Sequence, residues 1–113
     1  MKKENSMSLS FPLENKQLVD TFEHYELKFK ALSDKKRLHL LNVLCENGPT
    51  CVCDLIEQFQ MTQSKLSYHL KILLDADLIT KETRGTWSYY SLNEKELNHL
   101  LSPELCCLFR PSC

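Results

Sequence analysis

The chain has 113 residues, 42% of them hydrophobic and 26% charged, with a formal net charge of −1. That is enough for one domain with one modest core, and the near-neutral balance excludes a general polyanion binder that is basic all over. No apolar run reaches the roughly 18 residues of a membrane span, and the lysines of the opening MKKENSMSLSFPLENKQ are followed by no apolar stretch. Neither a membrane-spanning nor a secreted protein is therefore expected, and a cytoplasmic one is.

Residues 1–14 are polar, contain Pro12, and read as a flexible N-terminal segment. Leu18, Phe22, Tyr25, Phe29 and Leu32 then recur at alternating steps of four and three, the seam spacing of a coiled coil, on a helix that Asn15 would open. Such a seam packs on the domain's own core or on a second copy, and a dimer contact is the better reading. Ser33 or Asp34 caps the next helix, roughly 35–46, with Leu38, Leu41, Leu44 and Cys45 expected inward. Its first turn carries Lys35, Lys36 and Arg37, cations that oppose the helix dipole. A nearby phosphate would offset that cost; alternatively these side chains reach water or Glu26. Residues 28–37 hold five cations against Asp34 alone, a local positive excess within an otherwise acidic chain. Asn47-Gly48-Pro49 ends the helix.

Thr50 to Asp75 reads as two short helices with a tight joint at Gln60-Met61. The first, about 51–59, opens on Cys51 and Cys53. The second is capped by Thr62, and Leu66, Leu70, Leu73 and Leu74 form one helical stripe along it. The opposite arc shows Ser64, Ser67, Tyr68, Lys71 and Asp75, with Lys65 beside it. That set suits a major groove, although an ordinary solvated face has the same look. Leu78–Glu82 and Trp87–Ser91 are β-prone runs joined by Thr83-Arg84-Gly85-Thr86, a hairpin whose tip puts Arg84 within reach of a phosphate or a minor groove. Helix, helix, recognition helix, hairpin is the order of a winged helix-turn-helix. The expected fold is mainly α with a β-hairpin, dimeric, over residues 15–102. Asn93 with Glu96 makes a capping-box-like start for a last helix bearing Leu97, Leu100 and Leu101, and Pro103 stops it. Residues 103–113 form a tail with Cys106, Cys107 and Cys113.

With these elements in place, the chain resembles the ArsR family of metalloregulatory repressors, and within it the arsenical-resistance operon repressors. The resemblance covers about residues 20–101 and rests on FKALSDKKRLHLLNVL, TCVCDL, TQSKLSYHLKILLDADLI and the wing TRGTWSYYSL. Where the family usually has Ser-His-His-Leu, this chain has Ser67-Tyr68-His69-Leu70. The resemblance implies a homodimer on a double-stranded, inverted-repeat operator, released by a bound metal or metalloid, with no catalytic role. It places Thr62, Gln63, Ser64, Lys65, Ser67, Tyr68, His69 and Lys71, with Arg84 of the wing, against DNA. It also puts the dimer interface on the first and last helices, at Leu18, Phe22, Tyr25, Phe29, Leu97, Leu100 and Leu101. The best-known arsenic-sensing form reads Cys-Val-Cys-Asp-Leu-Cys, and here Ile56 stands at the third cysteine. The cadmium- and lead-sensing form adds cysteines from an N-terminal arm, but none precedes Cys45; the zinc-sensing form uses Asp and His pairs on the last helix, where this chain offers His99. Sites on C-terminal cysteines also occur in the family, and Cys106-Cys107 with Cys113 looks like one.

Six cysteines in a cytoplasmic chain point to metal binding or thiol chemistry rather than a disulfide framework, although any single one can be a small buried hydrophobe. Trivalent arsenic and antimony, the expected inducers, are soft ions that take three thiolates. Two partial sets are present. Cys51 and Cys53 lie where a helix dipole favours thiolate, but residues two apart diverge on a helix, so the first turn would have to distort to hold one ion. Cys106, Cys107 and Cys113 lie on a segment able to wrap an ion unaided. The helical pair is preferred, because strain there acts on the helix leading into the recognition helix. A packed helix start and an incidental cysteine-rich terminus are the plain alternatives. Two other functions compete: a repressor released by thiol oxidation, and a thiol enzyme or small metal carrier that does not bind DNA. The last lacks Cys-x-x-Cys and any local Cys–His pair.

Overall fold

The computed structural model describes residues 16–106. Its first helix, α1 (Lys16–Leu32), buries only Lys28 and Ala31, so most of the aromatic seam finds no place in the protomer's own core. Phe22, Tyr25 and Phe29 are 54%, 41% and 59% exposed, and Tyr25 stacks on Phe29 with ring centroids 6.3 Å apart. The last turns of α1 dock through Ala31 and Leu32.

Asp34 starts α2 (Lys35–Asn47): its carboxylate accepts the Lys36 and Arg37 amides at 2.8 and 3.2 Å. Burial alone would raise the Asp34 pKa, but these two bonds and the Arg37 charge hold it below the ordinary carboxylate value. Leu40, Leu41, Val43 and Leu44 face the core. Leu38, expected inward, is instead exposed along a cleft beside Leu32, Leu101 and Leu105, because the buried stripe of α2 lies on the 37/40/41/44 line. Gly48 takes φ 73° and its amide closes the helix on the Leu44 carbonyl.

A two-residue strand, β1 (Thr50–Cys51), follows, with α3 (Val52–Phe59) and α4 (Gln63–Asp75) behind it. Gln60 supplies the sharp joint between the helices with a left-handed φ of 53°. The wing is β2 (Ile79–Arg84) and β3 (Trp87–Leu92), paired antiparallel to the Arg84↔Trp87 rung. The connection is therefore only Gly85-Thr86, with Gly85 at φ 63°, shorter than the expected four-residue turn. β1 adds to the other edge of β3 through Thr50↔Tyr90 and Cys51↔Tyr89, giving the sheet order β1-β3-β2. Then come α5 (Glu94–Leu100) and a four-residue α6 (Pro103–Cys106). Pro103 thus opens a helical turn as well as following one.

The core is a leucine cluster drawn from every layer: Leu40, Leu41 and Leu44 of α2, Leu55 of α3, Leu66, Leu70 and Leu73 of α4, with Leu78, Ile79 and Leu97. Leu97 is fully buried, so it belongs to this core and not to a dimer surface. No helix among the described residues is long and apolar enough to cross a membrane. Mainly helical, with α3–α4 as the helix-turn-helix and β2–β3 as the wing, the architecture is the expected one.

Two of the five cations in residues 28–37 are internal. Lys28 is 2% exposed, and its ammonium donates to the Ala76 carbonyl at the end of α4 (2.6 Å) and to Glu96 Oε1 (2.9 Å). Glu96 is therefore spent on Lys28, and Asn93 donates its side-chain amide to the Asp77 carbonyl at 2.9 Å; neither closes the expected capping box. The Lys28 bond is the main cause holding the Glu96 pKa below the ordinary carboxylate value, against desolvation. The unfolded chain protonates Glu96 first as pH falls, so this tie is complete above the ordinary carboxylate value and lost as pH falls through the lower, folded value. Lys28→Met should cost about 2–3 kcal/mol in urea unfolding at neutral pH, the scale of hydrogen bonds to a charged group. A loss within the ~0.5 kcal/mol typical of surface changes would show that the tie contributes nothing.

Candidate nucleic-acid interface and thiol pair

The recognition-type helix α4 starts at Thr62, whose hydroxyl accepts the Lys65 amide at 3.2 Å. Leu66, His69, Leu70 and Leu73 go into the core, which turns Gln63, Ser64, Lys65, Ser67, Tyr68 and Lys71 outward. Tyr68 stands 61% exposed. Lys71 holds Asp75 at 3.1 Å one turn on, an exposed pair that is easily exchanged for another anion.

His69 is the exception among the expected DNA contacts. It lies three residues after Leu66 and four before Leu73, on the buried stripe, and is 5% exposed. It does not reach a base edge. Its Nδ1 lies 3.1 Å from Arg37 Nη1. Desolvation lowers the His69 pKa; Asp34 opposes the shift, while Arg37, Lys36 and Lys65 add to it. The ring is thus neutral at physiological pH, with Nδ1 accepting from the guanidinium.

Arg37 differs from the outward basic turn that its neighbours Lys35 and Lys36 suggest. It is 8% exposed, and Nε donates to the Ala31 carbonyl at 2.8 Å while Nη2 donates to the Lys30 carbonyl at 3.2 Å. These are carbonyls of the last turn of α1, and that of Lys30 also accepts from the Ser33 amide and hydroxyl at 3.2 and 2.8 Å. One guanidinium therefore ties the end of α1, the start of α2 and the recognition helix together. The available signal was its position: Arg37 stands three and four residues before Leu40 and Leu41, on the face that α2 buries.

On the wing, Arg84 donates to Glu82 Oε1 through Nε (3.2 Å) and Nη2 (3.0 Å), and its guanidinium lies 4.6 Å from the centre of the Tyr89 ring. The side chain remains half exposed at the tip.

Cys51 is not in a helix. It is the N-cap of α3, extended at φ −68° and ψ 142°, and its sulfur accepts the Cys53 amide at 3.3 Å. That placement removes the need for a distorted first turn. With the Cα atoms 5.3 Å apart, the two sulfurs converge, and the structure joins them as a disulfide. Cys51 is buried and Cys53 exposed. Ile56, at the third position of the arsenic-sensing pattern, packs against the core, as does Cys45. Among the described residues no three His, Cys, Asp or Glu side chains gather to hold an ion. Only with that bond reduced could the pair offer two of the three thiolates that a thiophilic ion takes. Cys106 ends α6, while Cys107 and Cys113 lie outside the described residues. Of the residues expected at a dimer interface, Phe22, Tyr25 and Phe29 are exposed, and Leu18, Leu100 and Leu101 are half-buried.

Residues 34–81, from the cap of α2 into the wing, match the family model described as bacterial regulatory protein, arsR family. The chain is 72% identical over 86 residues to the arsenical resistance operon repressor of Bacillus subtilis, covering 76% of this chain and 82% of that protein. It is 38% identical over 65 residues to the arsenical resistance operon repressor of Escherichia coli, covering 58% and 56%. Among solved structures, HlyU from Vibrio cholerae superposes with a TM-score of 0.65 at 25% identity over 79% of this chain and 95% of that one. NolR from Sinorhizobium fredii reaches 0.68 at 22% identity over 94% and 97%, a likeness of fold alone. By sequence across the helix-turn-helix and by its relatives, the chain belongs to the arsR family of bacterial regulatory proteins, as a DNA-binding transcriptional repressor and not an enzyme.

Proposed function

We propose that this protein represses an arsenical-resistance operon in the cytoplasm, binding operator DNA as a homodimer and leaving it when trivalent arsenic or antimony binds cysteine thiolates. The observation that carries the reading is the convergence of the Cys51 and Cys53 sulfurs at the cap of α3, in a chain so close to an arsenical resistance operon repressor. The exposed Phe22, Tyr25 and Phe29 face of α1, with Leu18, Leu100 and Leu101, supports dimerisation. Reduced, the cysteine pair supplies two soft donors; Cys106, Cys107 and Cys113 are the further candidates for the third. Joined, the same pair favours a second reading, release by thiol oxidation. Gel shift on the operator with arsenite, antimonite or peroxide separates them. Release by arsenite from the reduced protein supports the first reading, release by peroxide alone the second, and no specific shift at all overturns both.

The outward face of α4 yields two further expectations. A side chain reading a base edge is worth roughly 1–3 kcal/mol of discrimination. Gln63→Ala and Tyr68→Ala should therefore narrow the gap between operator and scrambled duplex. Lys65→Ala and Lys71→Ala should mainly flatten the salt dependence, each by about one in the log–log slope. Four variants all binding like the native protein would dismiss α4 as the reading helix. Arg84→Ala should weaken operator and unrelated duplex alike, because a cation at the wing tip that meets phosphates carries no sequence information. A loss confined to the operator would instead make Arg84 a sequence reader.

A further inference from the structure

A groove of about 480 Å³ runs between the starts of α2 and α4 and the end of α3. Lys36 comes into it from the first turn of α2, and Lys65 and Thr62 from the first turn and cap of α4; Gln58 and Gln60 line the α3 side. Lys36 and Lys65 line the same groove from different helices, and Lys65 lowers the Lys36 pKa. Both lysines are exposed, and among the described residues neither has a salt-bridge partner within 4.0 Å. Asp34 acts on Lys36 from a distance, but its carboxylate is occupied by the cap of α2 and by Arg37 at 3.9 Å. Two like charges brought together by different helices repel unless an anion lies between them. Both helices also present their N-terminal ends here, which adds to the positive potential.

We infer that Lys36 and Lys65 form a two-helix clamp for one backbone phosphate of the operator, at the edge of the groove that α4 enters. The inference rests on the DNA-binding reading given above and adds Lys36, which lies outside the helix that reads the bases. A phosphodiester oxyanion accepts a hydrogen bond from each ammonium and offsets their mutual repulsion. Lys36 thereby links the position of α2, and through Arg37 the end of α1, to contact with the DNA backbone. Because both lysines serve one phosphate, their contributions are not independent.

The test is a set of binding isotherms on operator and scrambled duplex between 50 and 200 mM salt, for the native protein, Lys36→Gln, Lys65→Gln and the double variant. A neutralised phosphate makes binding about three- to fourfold weaker over that span of salt. Lys36→Gln is expected to remove about that factor from the salt dependence and to weaken both duplexes alike. The double variant is expected to lose clearly less than the product of the two single losses. Lys36 is exposed, so an unchanged Tm checks that the variants are folded. An affinity and a salt slope unchanged by Lys36→Gln would overturn the clamp, as would fully multiplicative losses, while operator preference of the native protein would leave the DNA-binding reading standing. If the native protein showed no preference for the operator, the functional reading would fail separately, and the nonspecific slope would still decide the clamp.

Discussion

The double variant Cys51→Ser, Cys53→Ser is expected to bind operator DNA like the native chain and to stay bound when arsenite is added. Serine at position 51 keeps the cap, since its hydroxyl accepts the Cys53-position amide as the sulfur does now, and serine is a better N-cap than cysteine. The fold of α3 and the direction of α4 should therefore survive. What disappears is the pair of soft donors. A ligand moves a two-state equilibrium only by its difference in affinity for the two states, and driving a repressor from almost all bound to almost all free takes roughly 5.5 kcal/mol. An ion held at the cap of α3 has a short route to that difference. Cys51 is also a strand residue, paired with Tyr89 of the wing, so one site touches both the start of the helix-turn-helix and the sheet behind it.

The tail cysteines give the competing outcome. If the Cys51/Cys53 variant releases DNA normally while Cys106→Ser with Cys107→Ser stays locked on it, sensing resides in the tail. Arsenic X-ray absorption on the two double variants would count sulfur neighbours directly. Three sulfurs in the native protein and a lower count in each variant would mean that the sets cooperate.

Much of the architecture was legible because it depends on local chemistry. The leucines of α4 repeat on one helical stripe, Asp34 and Thr62 are strong caps, and Gly85 sits where a hairpin turn needs a positive φ. Apart from the phase of Leu38 and the length of the hairpin turn, the departures involve groups that meet across the chain. Lys28 reaches Ala76 and Glu96, and Arg37 reaches His69, over separations that leave no periodic trace. A buried lysine and a buried arginine look on paper like a basic patch. A two-residue strand carries no alternation, so β1 escaped, and with it the true setting of Cys51. There a difference of one residue in where the helix begins decides whether two sulfurs diverge or meet. Glu96 shows the same competition from the other side: a long-range cation outcompetes a local cap.

The Arg37 cluster should show the largest stability effect. Arg37→Ala is expected to destabilise the protein by roughly 2–4 kcal/mol, because it strips the partner from the Ala31 carbonyl and from His69 Nδ1 at once, each worth about 1–3 kcal/mol when left buried and unpaired, while the Lys30 carbonyl keeps its bonds from Ser33. Arg37→Lys should recover little, since a single ammonium cannot replace the planar fork that addresses three acceptors. Urea unfolding at one fixed protein concentration measures both, the concentration being held because dimerisation would contribute to stability. The cluster also sets an acid limit. Desolvation keeps the His69 pKa below its ordinary value of 6.5, so the unfolded chain takes up this proton first as pH falls. Between the two values the unfolded state binds more protons, and stability declines with falling pH. The contribution is complete above pH 6.5 and lost as pH drops through the folded value. His69→Gln, whose side-chain carbonyl can accept from Arg37 without titrating, should flatten stability against pH just below neutrality while leaving the fold intact. A native protein whose stability does not change over that interval, or an Arg37→Ala loss below about 1 kcal/mol, would mean that the recognition helix is held by its leucines alone.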